Sequence, residues 1–194
     1  MFSTRGFAVI DLNEAGIAET AAEDDLETFA TFEENAVAKA QYFHAISGRA
    51  TVADDSGLVV PSLSGQPGVL SKRWSGRTDL SGQALDDENN RLLLERMRGV
   101  EDRRAFYVCA VAYVDGRRDI VRRGEVHGRI VEDPRGAGGF GYDPYFLADE
   151  LGRTFGEASM AEKAHVSHRG RAFAALLETL ERSAGGSEKR PSAG

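Results

Sequence analysis

The chain has little of three things: cysteine, long apolar runs and positive charge. A single cysteine, Cys109, cannot form an internal disulfide, so the chain is not a disulfide-stabilised domain. Its apolar surroundings predict a buried thiol in a reducing compartment. No run approaches the roughly 18 apolar residues of a membrane helix, and residues 1–6 do not resemble a signal peptide. We therefore expect a cytoplasmic protein.

Lysine and arginine number 24 against 31 aspartates and glutamates, which gives a net charge of −7. Such a chain repels polyanions at long range, which disfavours nucleic acids and membrane surfaces as partners. With 194 residues, 28% charged and 41% hydrophobic, the composition is typical of one core-forming domain. We predict a single domain over residues 1–183 and a low-complexity, disordered tail over residues 184–194.

Apolar periodicity and turn residues predict the order of the elements. Thr31 and Glu34 fit a capping box that starts a helix ending near Ser47, in which Asn35 and Lys39 share a face. The other predicted elements are, in chain order, a strand (6–12), an acidic loop (18–27), a strand pair or bulged strand (51–60), a packing helix (87–98), a strand buried on both faces (105–114), its pairing strand (120–131), a glycine-rich loop (134–144) and a last amphipathic helix marked by Val166, Phe173, Leu177 and Leu180.

The adjacent carboxylates Asp54 and Asp55 interrupt an otherwise apolar segment. On an extended backbone they point to opposite faces, so one of them can enter a given site. The functional interpretation pairs one of them with a second acid such as Glu27 to hold magnesium, which takes one or two carboxylates together with water and phosphate oxygens. The alternative is a charged turn between two strands.

Basic residues gather near the expected start of the last helix, where the helix dipole disfavours cations. Together with free backbone N–H groups they would form an anion site suited to phosphate, and the alternative is a solvated basic face. These residues are Lys163, His165, His168, Arg169 and Arg171.

Two loops carry further candidates. In residues 136–144, glycines allow close backbone approach, Phe140 offers a ring for base stacking, and Asp143 or nearby backbone could read a base edge. The alternative is a mobile hairpin loop whose aromatic residues complete the core. Arg73, beside Trp74, could bind phosphate or base, and a surface turn explains that segment almost as well.

Taken together in this order, the motifs at residues 31–36, 39–40, 53–58, 138–144, 162–163 and 167–169 resemble the inosine triphosphatase-like family of non-canonical purine nucleoside triphosphate pyrophosphatases. The resemblance covers roughly residues 6–182. It implies an α/β fold with a long, curved mixed sheet flanked by helices, two lobes with a central cleft, and a homodimer. It also implies magnesium-dependent hydrolysis of the triphosphates of inosine, deoxyinosine or xanthosine to the monophosphate and pyrophosphate.

The resemblance also implies roles for individual residues. Asp55 would be the proton acceptor and a metal ligand, with Glu27 as the second ligand and Asp54 as a supporting neighbour. Lys39 and Lys163 would face the phosphates, with Ser56 nearby. Phe140 would stack on the purine. The residues lining the purine edge would be Gly141, Tyr142, Asp143, His168 and Arg169. Donors from His168 or Arg169 would favour a 6-oxo purine, because adenine presents a donor there.

The matched motifs include no counterpart of the family's amino-terminal strand and Ser/Thr-x-Asn-x-x-Lys loop, and Phe29 stands where the family has glycine after Glu-Thr. The missing loop would hold triphosphate. The alternative hypothesis is therefore a catalytically impaired nucleotide-binding or dimer-forming remnant. A nucleic-acid-binding module would depend only on the basic cluster and conflicts with the charge of −7.

Overall fold

A computed structural model describes residues 5–18 and 26–185 of the chain. Helix α1 spans Phe32–Ser47, as its capping box predicts, because the Thr31 Oγ1 accepts from the Glu34 backbone N–H at 3.2 Å. It ends at Gly48, whose φ of +64° is the left-handed conformation of a helix stop. The predicted apolar stripe is buried, namely Phe32, Ala36, Ala40 and Phe43.

Five strands form one curled antiparallel sheet in the order β1-β2-β3-β4-β5. The predicted α/β class and curved sheet with flanking helices are confirmed, whereas the strand pairs in the described part of the chain are all antiparallel rather than mixed. The strands are β1 (Thr51–Val59), β2 (Arg104–Val114), β3 (Asp119–Ile130), β4 (Phe146–Ala148) and β5 (Arg153–Thr154).

Strand β1 is continuous through both aspartates. Its register with β2 runs unbroken from the Thr51–Val114 pair to the Val59–Phe106 pair. The predicted strand pair or bulge is therefore wrong, and so is the charged-turn alternative. The ladder accommodates both carboxylates because successive side chains leave opposite faces of a strand, where each finds its own polar partners.

The sheet lies between α1 and the last helix, α4 (His168–Gly185). Alternate residues of β2, such as Val108 and Ala110, pack against α1, while Cys109 and Val111 pack against α4. The prediction that this strand is buried on both faces is confirmed. The predicted hairpin to β3 is also confirmed.

Helix α2 spans Gly82–Arg96 and begins before the predicted residue 87. The predicted last helix is in fact two, α3 (Met160–Val166) and α4, because Ser167 between them is extended, with φ −69° and ψ 152°. Two short 3-10 helices, Pro61–Leu63 and Gly68–Arg73, follow β1.

The predicted strand at residues 6–12 is wrong. Instead of pairing, the segment leads into a turn in which the Asp11 and Glu14 side chains accept from each other's backbone N–H groups. Val9 and Ile10 of this apolar run are exposed, whereas Phe7 packs against the core cluster around Cys109. Residues 19–25 of the predicted acidic loop and residues 186–194 of the predicted tail lie outside the described residues. None of the described helices is long and apolar enough to cross a membrane.

Candidate active site

Asp55 lies on the face of β1 that meets α1 and is buried. Its Oδ2 accepts from the Asn35 Nδ2 at 2.9 Å, and its Oδ1 is 3.5 Å from the Lys39 Nζ. Asn35 is fully buried, and its Oδ1 accepts from the Phe29 N–H at 2.9 Å. The predicted polar face of α1 therefore holds the carboxylate of Asp55 and, through Phe29, the chain segment that precedes the helix.

Lys39 joins Asp55 to Glu27. Its Nζ donates to the Glu27 Oε1 at 2.6 Å, and the Glu27 Oε2 is 3.1 Å from the Arg73 Nη1. A second nitrogen of Arg73 donates to the Glu27 carbonyl. Phe29 leaves this arrangement intact, because its backbone is held by Asn35 while its ring is exposed. Two carboxylates and two cations thus alternate along one surface.

The two carboxylates differ in their affinity for protons. Burial raises the pKa of Asp55, and the nearby charge of Glu27 adds to this, against the lowering effect of Asn35 and Lys39. Burial also acts to raise the pKa of Glu27, but the hydrogen bonds and charges of Lys39 and Arg73 outweigh it, so that pKa is lowered. Asp55 is therefore the better proton acceptor of the pair.

The oxygen donors of this group suit magnesium. Among residues 5–18 and 26–185, no group of three or more His, Cys, Asp or Glu side chains is spaced to hold a metal ion. Asp55 and Glu27 supply two carboxylates, which is the number Mg²⁺ uses when water and substrate phosphate oxygens complete its shell. The residues present therefore fit a magnesium ion that binds together with a phosphate ligand.

The opposite face of β1 carries a second polar group. The Arg169 Nε and Nη2 donate to the Asp54 Oδ2 at 3.0 and 2.9 Å, and the Nη2 also donates to the Ser56 Oγ at 3.1 Å. Cys109 lies beneath, with its Sγ 3.6 Å from Asp54, and burial raises the pKa of this thiol. Cys109 is thus a buried structural thiol, as predicted, and Asp54 orients Arg169.

His168 stacks on Tyr107 of β2, with ring centroids 4.8 Å apart and an angle of 9° between the rings. Burial lowers the pKa of His168 to about 3, with help from the charges of Arg169 and Lys163, so the ring is neutral at pH 7. Its Nδ1 is buried and has no hydrogen-bond partner in the described structure. We assign the proton to Nε2, because a buried N–H without an acceptor is costly.

Phe140 is 68% exposed, although it is a large apolar side chain. The Lys163 Nζ lies 5.3 Å from its ring centroid and 5.1 Å from that of Phe155, and donates to the Asp143 Oδ2 at 2.5 Å. Asp143 is buried, and its Oδ2 also accepts from the Phe140 N–H. The carboxylate of Asp143 therefore holds both the loop and Lys163, and its contact with a base edge stays a prediction.

These observations divide the predicted residues into two groups. We call Glu27, Lys39, Asp55 and Arg73 the carboxylate group. We call Phe140, Lys163, His168 and Arg169 the ring group. Ser56 belongs with the ring group, because it shares the face of Asp54. Among the described strands β1 has only β2 as a neighbour, so one long ligand lying along the outer edge of β1 could touch both groups.

Comparison with known proteins identifies the family of the chain. The family model described as the Ham1 family matches residues 1–179. This chain belongs to the Ham1 family. It is 50% identical over 186 residues to the dITP/XTP pyrophosphatase of Mycolicibacterium paratuberculosis, covering 93% of this chain and 87% of that protein. It is 49% identical over 159 residues to the dITP/XTP pyrophosphatase of Thermus thermophilus, covering 80% and 73%.

Solved structures show the same likeness. The Ham1 protein of Coxiella burnetii superposes with a TM-score of 0.79 at 32% identity, covering 91% of this chain and 87% of that one. The dITP/XTP pyrophosphatase of Mycobacterium abscessus does so with a TM-score of 0.69 at 43% identity, covering 89% and 87%. The resemblance inferred from the motifs is therefore confirmed at the level of the family.

In this Ham1-family chain the basic cluster is not a free anion site. Lys163 is paired with Asp143, Arg169 with Asp54, and Arg171 with Glu150 at 2.5 Å. Ser167 caps α4 by accepting from the Gly170 N–H. Phosphate would therefore meet cations that already have carboxylate partners.

The contacts that hold residues 141 and 142 in place were not predicted from the sequence. Tyr142 is buried, and its hydroxyl donates to the Ser71 carbonyl at 2.9 Å, while its place at the base edge stays a prediction. The Gly141 N–H and carbonyl are held by two residues of α2. The available signal was a set of polar residues on one helix face at i, i+3 and i+4, namely Asp86, Asn89 and Asn90.

Proposed function

We propose that this chain is a magnesium-dependent pyrophosphatase that hydrolyses inosine, deoxyinosine and xanthosine triphosphates to the monophosphate and pyrophosphate, removing them from the nucleotide pool. The observation that carries the proposal is a buried carboxylate, Asp55, fixed beside Lys39 and Glu27 on a strand whose opposite face orients Arg169. The names of the similar proteins support the same reaction.

Asp55 is proposed as the proton acceptor. Hydrolysis of the bond between the α and β phosphates adds the hydroxyl of water to one phosphorus and leaves a proton to be removed. Asn35 fixes the Asp55 Oδ2, and burial raises the pKa of the carboxyl, so that it accepts a proton more readily than an exposed aspartate. A positioned base of this kind needs no covalent nucleophile.

The carboxylate group is proposed to bind the triphosphate. Lys39 and Arg73 present nitrogens beside Glu27, where they would neutralise phosphate charge as it shifts during bond cleavage. Glu27 and Asp55 would hold Mg²⁺, which when bound supplies further neutralisation of the phosphates. Lys163, in the ring group, would contact a phosphate by exchanging part of its pairing with Asp143.

The ring group is proposed to select the base. Phe140 offers an exposed ring for stacking, and the neutral His168 has its Nε2–H available as a donor. The oxo group of a 6-oxo purine would accept a hydrogen bond from this donor or from Arg169. Adenine has an amino group at that position, so two donors would face each other and no hydrogen bond would form. Loss of that bond in a site with fixed donors disfavours adenosine triphosphate.

A homodimer and a cytoplasmic location are further parts of the proposal. Their support is the membership of the chain in the Ham1 family, together with the motif resemblance drawn from the sequence. Light scattering of the purified chain tests the dimer, because a mass near twice 21.0 kDa is expected.

The experiment that tests the proposed function measures pyrophosphate release from inosine triphosphate and adenosine triphosphate, each with magnesium and with a chelator. Release that requires magnesium and favours inosine triphosphate is expected. If a folded sample binds inosine triphosphate but releases no pyrophosphate, the enzymatic proposal is wrong and a nucleotide-binding role replaces it. Equal release from both nucleotides would contradict the assignment of the base-selecting residues.

A further inference from the structure

The polar face of α2 contacts two loops, one that carries Phe140 of the ring group and one that carries Arg73 of the carboxylate group. Asp86, Asn89 and Asn90 occupy positions i, i+3 and i+4, so their side chains share a face of the helix. Asn89 and Asn90 are buried, which is costly for polar side chains unless they are hydrogen-bonded. Their partners are therefore informative about what this helix does.

The first partner is the glycine-rich loop. The Asp86 Oδ2 accepts from the Gly141 N–H at 2.8 Å, and the Asn90 Nδ2 donates to the Gly141 carbonyl at 2.9 Å. Gly141 has a φ of +59°, a conformation that favours glycine. One residue is thus gripped at both of its backbone polar groups by side chains more than fifty positions earlier in the chain.

Both backbone polar groups of Phe140, the residue before Gly141, are also hydrogen-bonded. Its N–H donates to the Asp143 Oδ2 at 2.9 Å, and its carbonyl accepts from the Asp143 N–H at 3.2 Å. All four backbone polar groups of residues 140 and 141 are therefore paired. The ring of Phe140 nevertheless points outward, so a rigid backbone presents an exposed aromatic surface.

The second partner is the loop that carries Arg73. The Asn89 Nδ2 donates to the Lys72 carbonyl at 3.0 Å, and its Oδ1 accepts from the Ser75 N–H at 2.8 Å. The same helix face thus holds the backbone on both sides of Arg73, which contacts Glu27 of the carboxylate group. Asn89 acts on the phosphate side, while Asp86 and Asn90 act on the base side.

We infer that Asp86 and Asn90 are positioning residues for base recognition: by clamping the Gly141 backbone at its N–H and its carbonyl, they preset the Phe140 ring as the stacking surface for the purine. This inference rests on the proposed function and names what determines base affinity within it. A ring that is already in place loses little conformational entropy when a base stacks on it, so the clamp increases affinity for the base. It does not touch the reacting phosphates.

The test compares Asp86→Ala with Asp86→Asn and with Asp87→Ala. The asparagine keeps an oxygen that can accept from the Gly141 N–H. Asp87 is the exposed neighbour, whose Oδ1 accepts from Gln83, and it provides a matched loss of one carboxylate from the same helix turn. For each variant, kcat and KM for inosine triphosphate are measured with the inhibition constants of inosine monophosphate and pyrophosphate.

Asp86→Ala is expected to raise KM and the inhibition constant of inosine monophosphate about tenfold, the scale of one lost hydrogen bond to a charged group. kcat and the inhibition constant of pyrophosphate, which has no base, should stay within about twofold, because uniform binding changes KM alone. Asp86→Asn should have a KM and inhibition constants close to those of the wild type, and so should Asp87→Ala.

An unchanged inosine monophosphate constant in Asp86→Ala, or an equal rise for pyrophosphate, would overturn the inference. If Asp86→Ala does not fold, Asn90→Ser tests the other hydrogen bond to Gly141, the one to its carbonyl. The same changes in KM and in the inhibition constants are expected. If the wild-type chain releases no pyrophosphate, the proposed function fails on its own. Calorimetric titration of the same variants with inosine monophosphate then still decides whether the clamp determines base affinity.

Discussion

Replacing Asp55 by asparagine is expected to abolish turnover and leave the fold intact. The carboxamide has nearly the shape of the carboxylate, whose Oδ2 accepts from the Asn35 Nδ2 at 2.9 Å in the wild type, and the amide oxygen can accept in the same way. Two things are lost: a proton acceptor, and a negative charge 3.5 Å from the Lys39 Nζ. Both belong to the proposed chemistry and neither is needed to close the β1–β2 ladder.

The size of the effect follows from the role. A positioned general base contributes about 10²- to 10⁴-fold to the rate, which is about 3 to 5 kcal/mol of transition-state stabilisation. kcat of Asp55→Asn should therefore fall at least about a hundredfold, and further if metal binding weakens as well. In the wild type, kcat/KM should fall as the pH drops through the pKa of Asp55, which burial raises above its ordinary value of 3.8.

The stability of Asp55→Asn, unlike its activity, should not fall. Burial raises the pKa of Asp55, so the charged form of this carboxyl is disfavoured in the folded chain. The stability that the protonated carboxyl contributes at low pH is therefore lost as the pH rises through its pKa in the folded chain. Removing that charge at pH 7 removes a cost. Lys39 keeps its 2.6 Å bond to Glu27. The melting temperature of Asp55→Asn should equal or exceed that of the wild type.

The assay is pyrophosphate release from inosine triphosphate, with the melting temperature recorded on the same samples. Asp102→Asn is the matched control, since Asp102 is a partly exposed carboxylate distant from the site in sequence and paired with Arg104 at 2.7 Å. A kcat for Asp55→Asn within tenfold of the wild type would refute the general-base role. A marked drop in its melting temperature would refute the electrostatic reasoning, because the loss of turnover would then reflect unfolding.

Three further outcomes are expected. Lys163→Ala should raise KM for inosine triphosphate about tenfold, since one charge-assisted hydrogen bond contributes about 1 to 3 kcal/mol, and should lower the melting temperature, because the buried Asp143 loses its cation. The pKa of His168 is lowered to about 3, so stability should decline as pH falls from 6.5 towards 3, because the unfolded chain takes up the proton first; His168→Phe should flatten that decline in urea titrations. Gly57→Ala should destabilise the chain by about 1 to 3 kcal/mol in the same titrations, because the new Cβ would lie 2.4 Å from the Ser71 Oγ.

The elements that the sequence predicts correctly are those determined by near neighbours. The Thr31 hydroxyl and Glu34 fix the start of α1 within one turn, and the apolar stripe faces the sheet. Strand β2 is predicted because its composition suits burial on both faces. Both signals need no knowledge of the rest of the fold.

The errors come from partners that are distant in sequence. Residues 6–12 are apolar enough for a strand, but strand formation depends on a pairing neighbour that composition does not reveal. Asp54 and Asp55 suggested an interruption of β1, because the cations that accommodate them lie on α1 and α4. Charged residues within a strand are tolerated when each face supplies a counter-charge.

The family motifs name residues that the structure brings together, such as Glu27, Lys39 and Asp55, but they do not say what each residue contacts. Asp143 and Tyr142 lie in the predicted loop, yet both are buried and bind protein groups, namely Lys163 and the Ser71 carbonyl. A motif records which residues occur near a site. Whether a residue meets the ligand or holds another residue depends on burial and direction, which the structure supplies.

The placement of Asp54 and Asp55 on one strand makes the two halves of the site depend on a single register. A slip of one residue in the pairing of β1 with β2 would exchange their faces, moving Asp55 away from Lys39 and Asp54 away from Arg169 at once. Gly57 opposes such a slip, because a side chain at its position would collide with the Gly68 carbonyl at 2.4 Å. Close packing at this glycine therefore holds the proposed proton acceptor and the base-selecting arginine in place together.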